Sequence, residues 1–355
     1  MTDPAGKPPL LAREAPPGVP LQTPRPLVEV SVDGEPVRVP AGSTLLDACT
    51  QAGKDIPTLC YGDTLAPVSA CRVCLVEVEG QRLLVPSCSR RVEADMVVHT
   101  DGERARHSRK VVMELLASSV DMSTTKGFAD WVAAYGADPG RFGQQAAAFA
   151  AGERDALIAG EHEAPDGRWA ATVAQPVKRD NDLYVRDCGK CILCYKCVDA
   201  CGDQWQNTFA IAVAGRGFDA RIATEYAAPL PDSACVYCGN CVEVCPTGAL
   251  MFTSEHDMRA EGSWDESAQT RTDTICPYCG VGCQLTLHVQ DNEIVKTSSP
   301  HEHSVTHGNL CIKGRFGFQH VQNRKPDRGD ARGGDRGGDR GDARGGDRGG
   351  DRDPA

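Results

Sequence analysis

Eighteen cysteines carry most of the chemistry this sequence has to offer, and their spacing is specific. Cys191, Cys194, Cys197 and Cys201 read C-x2-C-x2-C-x3-C, and Cys235, Cys238, Cys241 and Cys245 repeat the spacing with Pro246 following. Thiolates at these intervals suit a cubane: the first three of a run wrap one 4Fe-4S core while the fourth, beginning a helix that leads away, reaches the other. The spacing therefore assigns Cys191, Cys194, Cys197 and Cys245 to one 4Fe-4S cluster, and Cys201, Cys235, Cys238 and Cys241 to a second. Cys188 extends the first run by three residues and can compete for an iron, but outside the paired motif it reads as a spare thiol. Lys190, Lys196 and Arg216 are natural counter-charges near these clusters, with solvated surface roles as the alternative.

Two further quartets flank this module. Cys60, Cys71, Cys74 and Cys88 have the spacing C-x10-C-x2-C-x13-C. One close pair plus two distant thiolates suits a 2Fe-2S core, whereas a zinc knuckle more usually has two close pairs. Gly62, Pro67, Ser69 and Ala70 are small or turn-prone types that let backbone amides approach sulfide; zinc or inert thiols remain the alternatives. Cys276, Cys279, Cys283 and Cys311 read C-x2-C-x3-C-x27-C, a candidate third 4Fe-4S site with structural zinc as its rival. Lys313 lies just beyond, where a cation can stand between this cluster and an anionic cofactor. Cys49 falls on an apolar helix face and reads as a small core residue. His99, His107 and His162 lack neighbours at metal-ligand spacing and read as surface residues.

The elements that must position these thiols are short. Leu27 to Val32 and Glu35 to Val39 alternate around Asp33-Gly34 as a hairpin. Ser43 stands before an apolar stretch, Leu45, Leu46, Ala48 and Cys49, expected to be a capped helix lying on a small mixed sheet. Val73 to Val78 and Arg82 to Val85 flank Glu79-Gly80 as a second hairpin. Residues 103–118 have strong helical periodicity, and the Ala-rich residues 143–160 are expected to be helical too. Phe209 to Val213 and Ala220 to Ala223 suggest an inserted hairpin, and Gln284 to Val289 and Glu293 to Thr297 another around Asp291-Asn292.

Five cysteines fall between residues 49 and 88, none between 89 and 187, and thirteen between 188 and 311, which is a modular distribution. The expected fold class is α+β and modular: a beta-grasp 2Fe-2S ferredoxin-like domain (26–102), a helical connector (103–180), a double 4Fe-4S ferredoxin-type module (181–256) and a small beta-rich 4Fe-4S domain (270–320). A disordered N-terminus (1–25) and a low-complexity Gly/Asp/Arg tail (324–355) frame them. Aromatic residues make up only 5% of the chain, with 37 Gly and 23 Pro, so the cores are expected to be small. The opening residues are Pro-rich and polar rather than a secretory signal, so a reducing, cytoplasmic setting is expected for the thiols. No apolar run is long enough for a membrane helix, so any membrane association would come through a partner rather than direct insertion. A formal charge of -11, made more negative by thiolate-bound clusters, disfavours nucleic acid.

The strings CYGDTLAPVSACRVC, CILCYKCVDAC, CVYCGNCVEVCPTGAL, CPYCGVGCQL and GNLCIKGRFG resemble the N-terminal electron-transfer part of the catalytic subunit of cytosolic NAD-dependent molybdenum or tungsten formate dehydrogenases. More distantly they resemble the large iron-sulfur subunit of respiratory complex I. The resemblance covers roughly residues 26–320. It implies a bis-molybdopterin guanine dinucleotide cofactor beside the last cluster, wherever the domain that encloses it is supplied, with Lys313 between cluster and pterin. It also implies a flavin- and NAD-binding diaphorase-type partner, and allows a separate molybdopterin catalytic polypeptide. Many relatives carry a histidine and three cysteines after the connector helix, where this chain reads SSVDMSTTKG, so that extra cluster is expected to be absent. After Val321 the family's long molybdopterin-binding region is replaced by DRGDARGGDRGG, at 327–338 and again at 339–350, a composition with almost nothing to bury and expected to be disordered. The expectation for this chain is thus a truncated or split catalytic subunit that relays electrons without oxidising formate by itself. A separately encoded relay subunit of a hydrogenase-like or complex I-like NAD(P) oxidoreductase is the alternative, and a zinc-stabilised interaction protein is a more remote one.

Overall fold

Alternating valines set the first sheet. In a computed structural model describing residues 25–62, 64–142, 177–216, 220–303 and 305–322, β1 (Leu27–Val32) and β2 (Glu35–Pro40) pair antiparallel. Asp33 and Gly34 both take positive φ, +50° and +86°, as the tight hairpin turn demands. The alternation turns Val30, Val32, Val37 and Val39 inward. β3 (Leu75–Val78), β4 (Val85–Pro86) and β5 (Val97–His99) complete a mixed sheet in the order β2-β1-β5-β3-β4, parallel only between β1 and β5. The second hairpin is looser than expected, with only Leu75 to Pro86 and Val76 to Val85 paired, because Glu79 turns its N–H to Val97 of β5.

Helix α1 (Leu45–Gln51) crosses this sheet and buries Leu45, Leu46, Ala48 and Cys49. Its cap is Thr44 rather than Ser43. The Thr44 hydroxyl accepts the Asp47 N–H and the Asp47 carboxylate accepts the Thr44 N–H, a reciprocal box that only a residue three before Asp47 can form. Ser43 instead donates its N–H to Pro40.

In the connector, α2 (Glu103–Ser119) buries Ala105, Arg109, Met113 and Ala117 at helical spacing. Arg109 ties it down, donating 2.9 Å to the Leu75 carbonyl and 3.0 Å to the Tyr135 hydroxyl of α3 (Phe128–Tyr135), a helix the sequence pattern did not reveal. The Ala-rich helix expected at 143–160, His162 and the tail repeats lie outside the described residues. Leu59, Val73, Met113 and Met122 pack with Cys71 and Ile192 in one apolar cluster, which joins the first domain to the two-cluster module.

That module is closed by β6 (Tyr184–Arg186) against β9 (Leu250–Phe252), a pairing across more than sixty residues that brackets both cysteine runs. Inside it lie α4 (Lys196–Cys201), the inserted hairpin β7 (Ala212–Ala214) and β8 (Arg221–Ala223), and α5 (Asn240–Glu243), with α4 against α5. After α6 (Thr253–Glu261), the last module is a three-stranded antiparallel sheet, β10 (Thr270–Ile275), β11 (Gln284–Gln290) and β12 (Glu293–Ser298), then α7 (Ile312–Phe316) and α8 (Phe318–Gln322). Asp291 and Asn292 turn the β11–β12 hairpin with positive φ, as their types allow. Among the described residues no helix is long and apolar enough to cross a membrane.

Candidate metal centres

The four cysteines of the first domain meet in a loop that wraps back on itself. Cys60 donates its N–H to Cys71 Sγ at 3.5 Å, and Cys71 returns the bond to Cys60 Sγ at 3.4 Å. Ser69 and Arg72 adopt positive φ, the local cost of turning successive amides inward. Ser69 Oγ stands 3.9 Å from Cys88 Sγ and donates to Ser89 Oγ at 2.6 Å. The mutual thiol contacts split the quartet: the hydrogen bond from Cys71 holds Cys60 down to about 2 and that from Cys88 holds Cys74 down to about 6, while Cys71 is pushed up by its contact with Cys60 and Cys88 by its contacts with Cys60 and then Cys74. Cys49 stays apart in the valine core, where burial pushes its thiol up to about 12. Cys49→Ala is expected to keep full iron content and to cost about 1 kcal/mol of packing, read by iron analysis and a denaturant melt. Loss of two irons would make it a ligand instead.

In the two-cluster module all four C-x2-C steps contain one positive-φ residue. Leu193, Tyr195, Tyr237 and Gly239 each take positive φ inside a C-x2-C step. This geometry brings the amide two residues on back to the sulfur, as in Leu193 to Cys191 and Tyr237 to Cys235, both at 3.4 Å. Lys196 and Asn240 amides likewise act on Cys194 and Cys238. Cys191, Cys194 and Cys197 share a cavity of ≈ 40 Å³ with Cys245 and Cys241, and Cys245 is among the charges acting on each of the first three. Cys201 and Cys235 act on Cys238 and Cys241. Cys201 Sγ accepts the Ala210 N–H at 3.2 Å, and Cys235 Sγ lies 3.4 Å from the Tyr184 hydroxyl. Cys188 lines the same cavity as Cys191.

Burial dominates the electrostatics here. It pushes Cys191 up to about 12 and Cys194 up to about 11, drives Cys197 and Cys241 well above the ordinary thiol value and raises Cys238, with neighbouring thiols adding to each. Such crowded, desolvated sulfurs ionise only where a metal core takes the protons' place. The inward amides and the crowding both fit iron-sulfur cores, which thiolates surround at several irons rather than at one point. Among the described residues no group of three or more His, Cys, Asp or Glu is placed to hold a single metal ion.

The last quartet lies at the end of its sheet. Cys276 is buried against Leu285 and Leu310 and donates its N–H to the Cys283 carbonyl at 2.7 Å. Burial raises the Cys283 thiol, helped by Cys276, Cys279 and Cys311. Cys279, Cys311 and Lys313 are exposed, and Ile275, Val281 and Ile312 beside them are exposed as well.

The expected counter-charges separate. Lys190 is held in a buried ion pair with Asp121, with Ser123 at 3.2 Å. It is anchored in the connector because Asp121 is itself buried there. Arg216 is exposed on the inserted hairpin, and His99 pairs with Glu79 at 3.0 Å. Lys196 reaches the first domain: a Cβ on Gly62 would fall 3.1 Å from its Cε. The loop after Cys60 is further held by Ala66 N–H to Gln204 at 2.7 Å and by Trp205 to the Thr64 carbonyl at 3.2 Å. Sequence reasoning missed Tyr184, Arg186 and Arg315, all nearly inaccessible beside the cysteine loops.

Residues 25–103 match the 2Fe-2S iron-sulfur cluster binding domain, residues 190–249 the 4Fe-4S dicluster domain, and residues 269–323 the molybdopterin oxidoreductase Fe4S4 domain. The chain is 34% identical over 306 residues to a subunit of an NADH-quinone oxidoreductase of Rhizobium meliloti (strain 1021), covering 84% of this chain and 32% of the relative. To a formate dehydrogenase-like protein of Staphylococcus haemolyticus (strain JCSC1435) it is 25% identical over 337 residues, covering 83% and 31%. It thus spans about a third of the length of these curated relatives. A solved NAD+-reducing [NiFe]-hydrogenase, in its H2-reduced state, shares the fold with a TM-score of 0.50 and 21% identity, over 64% of this chain and 87% of that one. The chain is built of 2Fe-2S and 4Fe-4S domains of the kind found in electron-transporting oxidoreductases.

Proposed function

We propose that this chain is the iron-sulfur relay of an NAD(P)-linked oxidoreductase, carrying one 2Fe-2S and three 4Fe-4S clusters between a flavin partner and a molybdopterin site. One observation carries the reading, the way thiols of the four cysteine motifs meet one another: Cys60 and Cys71 exchange N–H···S bonds, Cys191, Cys194, Cys197, Cys241 and Cys245 line one cavity, Cys201 and Cys235 act on Cys238, and Cys276, Cys279 and Cys311 act on Cys283. The clusters, when bound, supply one-electron chemistry. The residues supply the rest. Cys60, Cys71, Cys74 and Cys88 would hold the 2Fe-2S core. Cys191, Cys194, Cys197 and Cys245 would hold one cubane, Cys201, Cys235, Cys238 and Cys241 the second, and Cys276, Cys279, Cys283 and Cys311 the third. Packed apolar side chains around the first three groups exclude water, which lowers the cost of rearranging solvent when charge arrives, whereas Cys279 and Cys311 of the last group are exposed.

Formate is the substrate we assign to the far end. The match of residues 269–323 to the molybdopterin oxidoreductase Fe4S4 domain and the formate dehydrogenase-like relative support it, and exposed Lys313 would face the pterin. The greater identity to the NADH-quinone oxidoreductase relative favours a second reading, a relay component of a complex I-like enzyme. In both readings a diaphorase-type partner takes the electrons.

Anaerobic analysis is expected to find about fourteen irons and about fourteen acid-labile sulfides per loaded chain. Stoichiometric zinc with little sulfide would overturn the assignment. With the chain reduced by dithionite, NAD+ reduction is expected only when a flavin-bearing diaphorase partner is added.

A further inference from the structure

Two arginines in the two-cluster region are buried in the same unusual way. Arg186, on β6, is 5% exposed, is paired with Asp180, and lines the cavity it shares with Cys191, Cys194, Cys197 and Cys245, and with Cys241 of the second run. Arg315, on α7, is 0% exposed and paired with Glu243. It lies on the second cysteine run: a Cβ on Gly239, between Cys238 and Cys241, would fall 2.7 Å from Arg315 Cγ, and its Nη2 donates 3.2 Å to Asn240 Oδ1 in the same turn. Its remaining terminal N–H groups go to the Gly308 and Thr297 carbonyls, both at 3.3 Å. Arg186 engages Asp180 through Nη2 and Arg315 engages partners through both terminal nitrogens, while in each the Nε is buried without a partner among the described residues. A buried donor on a cation is costly to leave unpaired, so an acceptor is called for at each position.

We propose that Arg186 and Arg315 are a matched pair of potential-setting residues, one for each cubane of this module, each presenting its free Nε–H and its fixed charge to the sulfur shell of its own cluster. The inference rests on the cluster assignment above and deepens it. Guanidinium does not lose its proton at any working pH, so its charge is constant. Each one-electron reduction adds one negative charge to the thiolate and sulfide shell, and a cation in a low-dielectric surround stabilises that charge, as does a hydrogen bond to sulfur. Asp180 and Glu243 orient the side chains and temper the field. The two cubanes therefore have separately adjustable potentials, set by residues outside the cysteine runs.

The test is a redox titration of the whole chain, anaerobically loaded with iron and sulfide, followed by electron paramagnetic resonance. Arg186→Gln is expected to move the midpoint of the Cys191, Cys194, Cys197 and Cys245 cluster to more negative potential and leave the other cubane and the 2Fe-2S centre in place. Arg315→Gln is expected to do the same to the Cys201, Cys235, Cys238 and Cys241 cluster alone. Asp180→Asn and Glu243→Gln are expected to shift the same two midpoints in the opposite sense, a sign reversal that mere loosening of the fold does not produce. If an Arg→Gln variant fails to load iron, Arg→Lys, which keeps the charge and loses the Nε–H, and the carboxylate variants carry the test. Unmoved midpoints, joint movement of both cubanes, or the same sign for arginine and carboxylate variants would overturn the proposal while normal iron and sulfide content left the cluster assignment standing. A wild-type chain lacking two cubane signals in this module would overturn both.

Discussion

Cys245→Ala is expected to remove the same cubane as Cys191→Ala, although the two residues stand at opposite ends of the module's sequence. Cys245 closes the second cysteine run, and reading by proximity would give it to Cys235, Cys238 and Cys241. The fold argues otherwise. α5 ends at Glu243, and the chain then carries Cys245 into a cavity lined by Cys191, Cys194 and Cys197 as well as Cys241, where Cys245 is among the groups acting on each of the first three. Reciprocally, Cys201 ends α4 and lies among the groups acting on Cys238 and Cys241. Removing one of four thiolates opens an iron to exchange and hydrolysis, so each variant is expected to lose one whole cubane, about four irons, and its resonance. The decisive comparison is between spectra: Cys191→Ala and Cys245→Ala are expected to match each other, Cys201→Ala and Cys235→Ala to match a different pattern, and the Cys191→Ala/Cys245→Ala double variant to lose no more iron than either single. A Cys245→Ala spectrum matching that of Cys235→Ala would replace the crossed arrangement by two self-contained runs.

The turns that hold the cysteine runs of the two-cluster module were legible because cysteine spacing is a local code. Each C-x2-C step of the two-cluster module leads the chain through a positive-φ turn that returns an amide to sulfur, and nothing distant is needed to make that turn. The hairpins at Asp33-Gly34 and Asp291-Asn292 were legible for the same reason, since turn chemistry and period-two alternation lie in adjacent residues. What escaped notice is non-local. β6 and β9 are three-residue strands, too short for periodicity to register, and they exist because each completes the other. β10 is exposed along its whole length, so its TRTDTI carries no inward face to detect. Charges followed the same division. Lys190 and Arg315 are both basic and near cysteines in sequence, yet one is drawn to Asp121 in the connector and the other to Glu243 beside the second run. Only the fold decides which carboxylate each one meets. The signal for Arg315 was faint: it stands four residues after Cys311, one helical turn on, with its N–H bonded to the Cys311 carbonyl at 2.9 Å.

Formate turnover by the purified 355-residue chain is expected to be nil, even after loading with iron, sulfide and a molybdopterin cofactor, while direct reduction of its clusters succeeds. Oxidising formate takes two electrons and a hydrogen from one carbon, which requires a shaped, water-excluding site around the cofactor that performs it. The described residues of the last module offer one wall of such a site. Cys279, Cys311 and Lys313 are exposed, and the apolar side chains around them, Ile275 at 58%, Val281 at 58% and Ile312 at 41%, face outward with nothing laid over them among the described residues. A cofactor on that face would stay open to solvent, and its cluster-side cation, Lys313, would act through water, where a unit charge at contact distance is worth roughly a twentieth of its dry-protein value. Electron entry has no such requirement, because one-electron transfer from a small reductant needs only approach to the exposed cysteines. The measurement pairs anaerobic formate-to-viologen assays with cluster reduction by reduced viologen, followed by electron paramagnetic resonance. Full cluster reduction without formate turnover is the expected result, and addition of a separate molybdopterin catalytic polypeptide is expected to give turnover through Lys313, with Lys313→Gln slowing it in that complex. Sustained formate turnover by the single chain would mean that a face open in the described residues is nonetheless sufficient to hold and shield the catalytic cofactor.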